Sequence, residues 1–81
     1  MELKDTVQDM LSPDYIDRFR AEYRQLKIRA EKLRKMLAKY EADTLDFEPE
    51  CGYDLLDDQY ELMDEYLRIL ETRAEIEGIE L

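Results

Sequence analysis

Apolar residues after Pro13 fall at Ile16, Phe19, Tyr23, Leu26, Ala30, Leu33, Leu37 and Tyr40, so that steps of three and four alternate without a break. A strand needs a period of two, and only a helix that turns one narrow stripe toward a partner produces this heptad. Ser12 offers an N-cap oxygen, and Pro13 suits the first helical position, where a missing N–H costs nothing. The pattern predicts a first helix, helix A, over residues 13–41. A second row, Leu56, Tyr60, Met63, Leu67, Leu70 and Ala74, repeats the alternation until Glu77 breaks it. Asp54 is the expected N-cap, Gly78 suits the left-handed position past the helix end, and Ile79 can fold back onto Ala74. This predicts helix B over residues 54–77.

Two such helices joined by residues 42–53 should fold back on each other. The expected fold class is therefore all-α: one domain, an antiparallel two-helix hairpin resembling a coiled coil. A short N-terminal helix is expected over residues 1–11, where Leu3, Val7 and Met10 or Leu11 repeat at helical spacing. Pro49 and Gly52 interrupt the connection, and the hairpin's open end is the expected dock for Leu45, Phe47 and Tyr53, making this acidic loop ordered. Residues 78–81 form a tail. Helix B carries a second apolar row, Leu55, Leu62, Tyr66, Ile69 and Ile76, which a single partner helix cannot cover. The N-terminal segment and a second copy of the chain are the expected covers, so this row is the candidate oligomer interface.

Charge adds a polarity that periodicity alone does not show. The 81 residues carry 12 basic and 22 acidic side chains, a net charge of -10. Residues 14–40 hold nine basic against four acidic groups (+5), whereas residues 41–81 hold fifteen acidic groups against Arg68 and Arg73 (-13). Ion pairs between Arg20, Lys27 or Arg34 and Asp57, Glu61, Asp64 or Glu71 are expected across the hairpin. Each exposed pair is worth only ~0–1 kcal/mol, so the apolar seam should dominate stability. Asp57, Asp58, Glu61, Asp64 and Glu65 form a candidate acidic face for a basic partner surface. Arg18, Arg24, Arg29 and Lys32, with Tyr23 interleaved, form a candidate phosphate or nucleotide site in which arginines hold phosphate and a ring stacks on a base.

The chemistry-bearing residues are few. Histidine is absent, which removes the commonest general base and the commonest nitrogen ligand for metals. Ser12 is the only serine and Cys51 the only cysteine, and neither has a base in view. With Gly52 and Gly78 as the only glycines, no phosphate-cradling loop is present. Asp46, Glu48 and Glu50 alternate like the first ligands of a calcium loop, but Pro49 interrupts the series and position twelve is Asp57 instead of glutamate. The expectation is a chain with no catalytic residue, no metal and no cofactor. Neither a secretory leader nor a membrane span is apparent, so a cytoplasmic location is expected.

Four segments, SPDY at Ser12–Tyr15, AEY at Ala21–Tyr23, KYEADTLDFEPEC at Lys39–Cys51 and RAEIEGIEL at Arg73–Leu81, resemble a family of small phage and prophage proteins of Gram-positive gut bacteria, named after a crAss-like phage gene product. Gly52 stands where that pattern has proline. The resemblance implies a phage accessory protein in the bacterial cytoplasm and carries over no residue roles. With the -13 balance, it favours a non-enzymatic protein that binds a host protein through its acidic surface, as an inhibitor of antiviral defence would. The alternatives are a nucleotide or nucleic-acid sponge using helix A, and a self-assembling structural protein.

Overall fold

A computed structural model describes Met1–Leu81 as four helical segments and no strand. A 3-10 turn, Leu3–Thr6, runs into the short helix α1, Val7–Met10; the long helices are α2, Tyr15–Glu41, and α3, Tyr53–Glu77. The two long helices pack on each other, and the N-terminal turn and α1 pack on α2. Hydrogen bonds from Tyr15 to Glu77 and from Tyr23 to Glu71 place the start of α2 beside the end of α3, so the pair is antiparallel. This is the all-α hairpin that the two heptad rows predict, with the short N-terminal helix expected from the spacing of Leu3, Val7 and Met10. The long dimension, 43 Å, is about the length of α2 at ~1.5 Å per residue.

Both N-caps differ from expectation. In α2 the cap is Asp14, whose carboxylate accepts from the Ile16 N–H at 2.9 Å, and the helix starts at Tyr15 instead of Pro13. Ser12 sits one step further out: its hydroxyl accepts from the Asp14 N–H at 3.1 Å and donates to Asp17 at 2.8 Å. The carboxylate nearer the free N–H groups wins the cap, and the serine braces it. In α3 the cap position is Gly52 at φ 79°, and Asp54 lies inside the first turn, where its charge complements the positive end of the dipole.

The C-terminal end follows the pattern. Gly78 is left-handed (φ 71°, ψ 31°), and the N–H of Ile79 donates to the Ala74 carbonyl at 2.8 Å, which swings Ile79 into the core. A Cβ at position 78 would meet no atom within 4 Å, so the cost of a side chain there is backbone strain alone. Gly78→Ala should therefore lower stability by about 1 kcal/mol, read as a shift of the urea midpoint with unchanged slope.

Phe19, Tyr23, Leu70, Ala74 and Ile79 form the core, with Leu26 and Leu67 packed against it. Only nine of 81 residues are buried, so stability rests on few side chains. Ala21 of α2 is fully buried, and the N-terminal turn packs on this helix. The buried Thr6 hydroxyl is satisfied there, donating to Leu3 O at 2.7 Å and accepting from Gln25 at 2.8 Å.

Two further expectations need correction. The N-terminal segment covers α2 and not the outer row of α3, because Thr6, Asp9 and Met10 all find their partners, Gln25 and Arg24, on α2. Phe47 does not cap the open end of the hairpin; it is exposed, while Tyr53 packs on Tyr40 at 5.2 Å between ring centroids. No helix is long and apolar enough to cross a membrane.

Candidate functional site

Arg18, Glu22, Gln25 and Arg29 follow one another on α2 in steps of four, three and four, which places them in one row beside the apolar seam. This row forms the floor of an open groove of about 380 Å³. Met10 of α1 supplies one wall and Tyr66 of α3 the other, with Leu26 beneath. The groove exists because α1 and α3 lie on either side of the same α2 face.

Its polar groups are held in distinct ways. Arg18 donates from Nη1 to the Ser12 carbonyl at 2.9 Å, which anchors the guanidinium at the start of the helix. Gln25 is fixed by its bond to Thr6 and also contacts the Met10 sulfur. Tyr66 donates its hydroxyl to Glu22, and that bond, followed by partial burial, holds the phenol above its ordinary pKa. Arg29 has neither a hydrogen bond nor an ion pair within the chain, and Arg18 has no carboxylate partner.

The five residues expected to bind phosphate do not share one surface. Arg18 and Arg29 meet in the groove, but Tyr23 is buried (8% exposed), and Arg24 turns to Asp9 of α1 at 3.4 Å. Lys32 lies further along, in a separate hollow with Lys35, Lys39 and Phe47. The accessible aromatic ring is Tyr66, which the pattern had assigned to the oligomer row. Glu22, Gln25 and Met10 were not singled out from the sequence. The regular spacing from Arg18 to Arg29 was the signal for Glu22 and Gln25, whereas Met10 depends on where α1 docks.

The acidic residues of α3 form two rows. At 100° per residue, Asp57, Glu61 and Asp64 share one side of the helix, and Asp58 and Glu65 lie about a quarter turn away. Asp64 pairs along the helix with Arg68 at 3.1 Å. The cross-hairpin ion pairs of Arg20, Lys27 and Arg34 do not form; the ion pair between segments is Arg24 with Asp9, and the others are local. Tyrosines take over that role, with Tyr15 donating to Glu77 at 2.8 Å, Tyr23 to Glu71 at 2.7 Å, and Tyr66 to Glu22. The Tyr23 ring is already packed in the core, so its phenol loses less side-chain freedom than a lysine or arginine would in reaching the same carboxylate.

Burial, and then the bond to Glu71, pushes the Tyr23 phenol up to about 12 from its ordinary 10.0. The folded chain thus holds this proton more tightly than the unfolded chain. Its contribution is complete below pH 10 and is lost as pH rises toward 12. Alkaline unfolding should begin in that window, and Tyr23→Phe should remove one late step from the tyrosinate absorbance titration.

No group of three or more carboxylate or thiolate side chains is arranged to hold a metal ion, and Cys51 is exposed and free. A family model described as Sequestin matches residues 13–76, which takes in α2, the connection and nearly all of α3. The chain belongs to the Sequestin family. The matched span includes every α2 and α3 residue of the groove, and only Met10 lies outside it. No curated protein and no solved structure matches the chain.

Proposed function

We propose that the chain binds and sequesters a small anionic ligand of the nucleotide class in the groove between α1, α2 and α3. The observation that carries this reading is the pair Arg18 and Arg29. In a chain of net charge -10, two guanidinium groups without carboxylate partners line one cavity, beside an accessible tyrosine ring. A guanidinium makes bidentate bonds to phosphate, and a phenol ring stacks on a base. Glu22 and Gln25 lie between the arginines and supply polar partners for base edges or ribose hydroxyls. The volume falls within the range of small-molecule sites. The family's name agrees with retention of a ligand, and the groove lines up no nucleophile with a base, so the reading is binding without turnover.

The resemblance to small phage proteins supports a host nucleotide as the ligand. The test is a thermal-shift panel of linear and cyclic mono- and dinucleotides. Stabilisation by a subset supports the reading, and a flat response to every member rejects it. A second reading, capture of a basic host protein, is favoured by the mostly unpaired carboxylates of α3. It predicts binding that weakens steeply with salt and is lost on reversing Asp57, Asp58, Glu61 and Glu65 together.

A further inference from the structure

Leu55, Leu62, Ile69 and Ile76 are spaced by seven, and they are 61, 65, 58 and 79% exposed. Gln59, Tyr66 and Arg73 interleave with them in steps of four and three, so this face of α3 carries a second seam with no partner inside the chain. We propose that a second copy of the chain covers it, with the two α3 helices antiparallel about a two-fold axis near Glu65 and Tyr66.

Three observations select this occupant. The first is the nature of the surface. From Lys27 to Lys39 the exposed positions of α2 are charged apart from Ala38, so this stretch of α2 of another molecule offers no apolar row, whereas α3 of another molecule offers an identical one. A surface that complements itself is what a two-fold interface requires.

The second is the charge along α3. Residues 53–65 hold six carboxylates and no base (-6), while residues 66–77 hold Arg68 and Arg73 against three carboxylates (-1). A parallel pair would set -6 against -6. An antiparallel pair sets each acidic half against the half that carries both arginines, and it also opposes the helix dipoles.

The third is area. With Tyr66 included, the exposed row amounts to roughly 600 Å² per protomer, close to the ~800 Å² each partner buries in a standard interface. Tyr66 belongs to both this row and the groove, so the two grooves would open beside the axis with their tyrosines adjacent. The pairing is argued from the α3 row and not from the groove, but it shares Tyr66 with the groove and would cover the part of that ring that faces the axis.

Sedimentation velocity at about 100 µM, where a contact of micromolar Kd is saturated, should give a dimer that strengthens with salt as the -10 charges are screened. Leu62→Glu with Ile69→Glu should give a monomer of unchanged helical circular dichroism. Direction is read from cross-linking in a Cys51→Ser background. Glu65→Cys should be joined by a short bis-maleimide, whereas Leu55→Cys should not, because its two copies would lie ~30 Å apart. A wild-type monomer at this concentration, a dimer indifferent to the double substitution, or cross-linking at Leu55→Cys would each overturn the proposal.

Discussion

Arg18→Ala combined with Arg29→Ala should weaken nucleotide binding by about 10²–10⁴-fold while leaving the fold intact. A hydrogen bond to a charged group is worth ~1.5–3 kcal/mol, and each 1.4 kcal/mol is a factor of ten, so two arginine–phosphate contacts account for that range. The stability change should stay within about 0.5 kcal/mol, because Arg29 has no partner in the chain and Arg18 has only the exposed Ser12 carbonyl. Arg24→Ala is the control. Its guanidinium is turned to Asp9 and lies outside the groove, so affinity should not change. Isothermal titration with whichever nucleotide stabilises the chain measures Arg18→Ala and Arg29→Ala, singly and together, beside Arg24→Ala. Equal losses at Arg18, Arg24 and Arg29 would indicate a diffuse basic field instead of a site.

Leu70→Ala should be the most damaging single substitution to the fold. Leu70 is completely buried in the core cluster that joins Phe19 and Tyr23 of α2 to Ala74 of α3 and Ile79 just beyond it. Truncating such a leucine costs ~2–5 kcal/mol, and a chain of this length has a total stability of only ~4–12 kcal/mol. The variant should be substantially unfolded at 37 °C by circular dichroism, or show a urea midpoint lowered by a third or more. A midpoint within a tenth of wild type would mean that the cohesion of the hairpin lies elsewhere.

The hairpin was legible in the sequence because its signal is long. Eight apolar positions in α2 and six in α3 keep one alternation, which sheet geometry cannot produce. The Gly78 terminus was legible for the same reason, since a glycine just past a periodic run has a local cause. Tertiary arrangement was not. Whether Ser12 or Asp14 caps α2 depends on which oxygen lies nearer the free N–H groups. Whether a lysine or a tyrosine bridges the helices depends on rotamers and ring packing.

The candidate site was half legible. Arg18 and Arg29 were singled out by charge, but so were Arg24 and Lys32, because composition cannot say which side of α2 the N-terminal segment will occupy. Tyr66 belonged to an apolar row by spacing and became a groove wall only through the way α3 packs on α2. A binding groove made by three elements is a non-local property, and its residues acquire a common role only once the fold is in place.

The measurement that addresses the central claim most directly is equilibrium dialysis of the protein against the nucleotide that gives the largest thermal shift, followed by denaturation and chromatographic analysis of the released ligand. The expected result is near-stoichiometric retention by the wild type, recovery of the nucleotide unchanged, and no retention by the Arg18→Ala/Arg29→Ala variant. Recovery of a cleaved or modified product, or retention that is the same in that variant, would contradict a sequestering groove floored by α2.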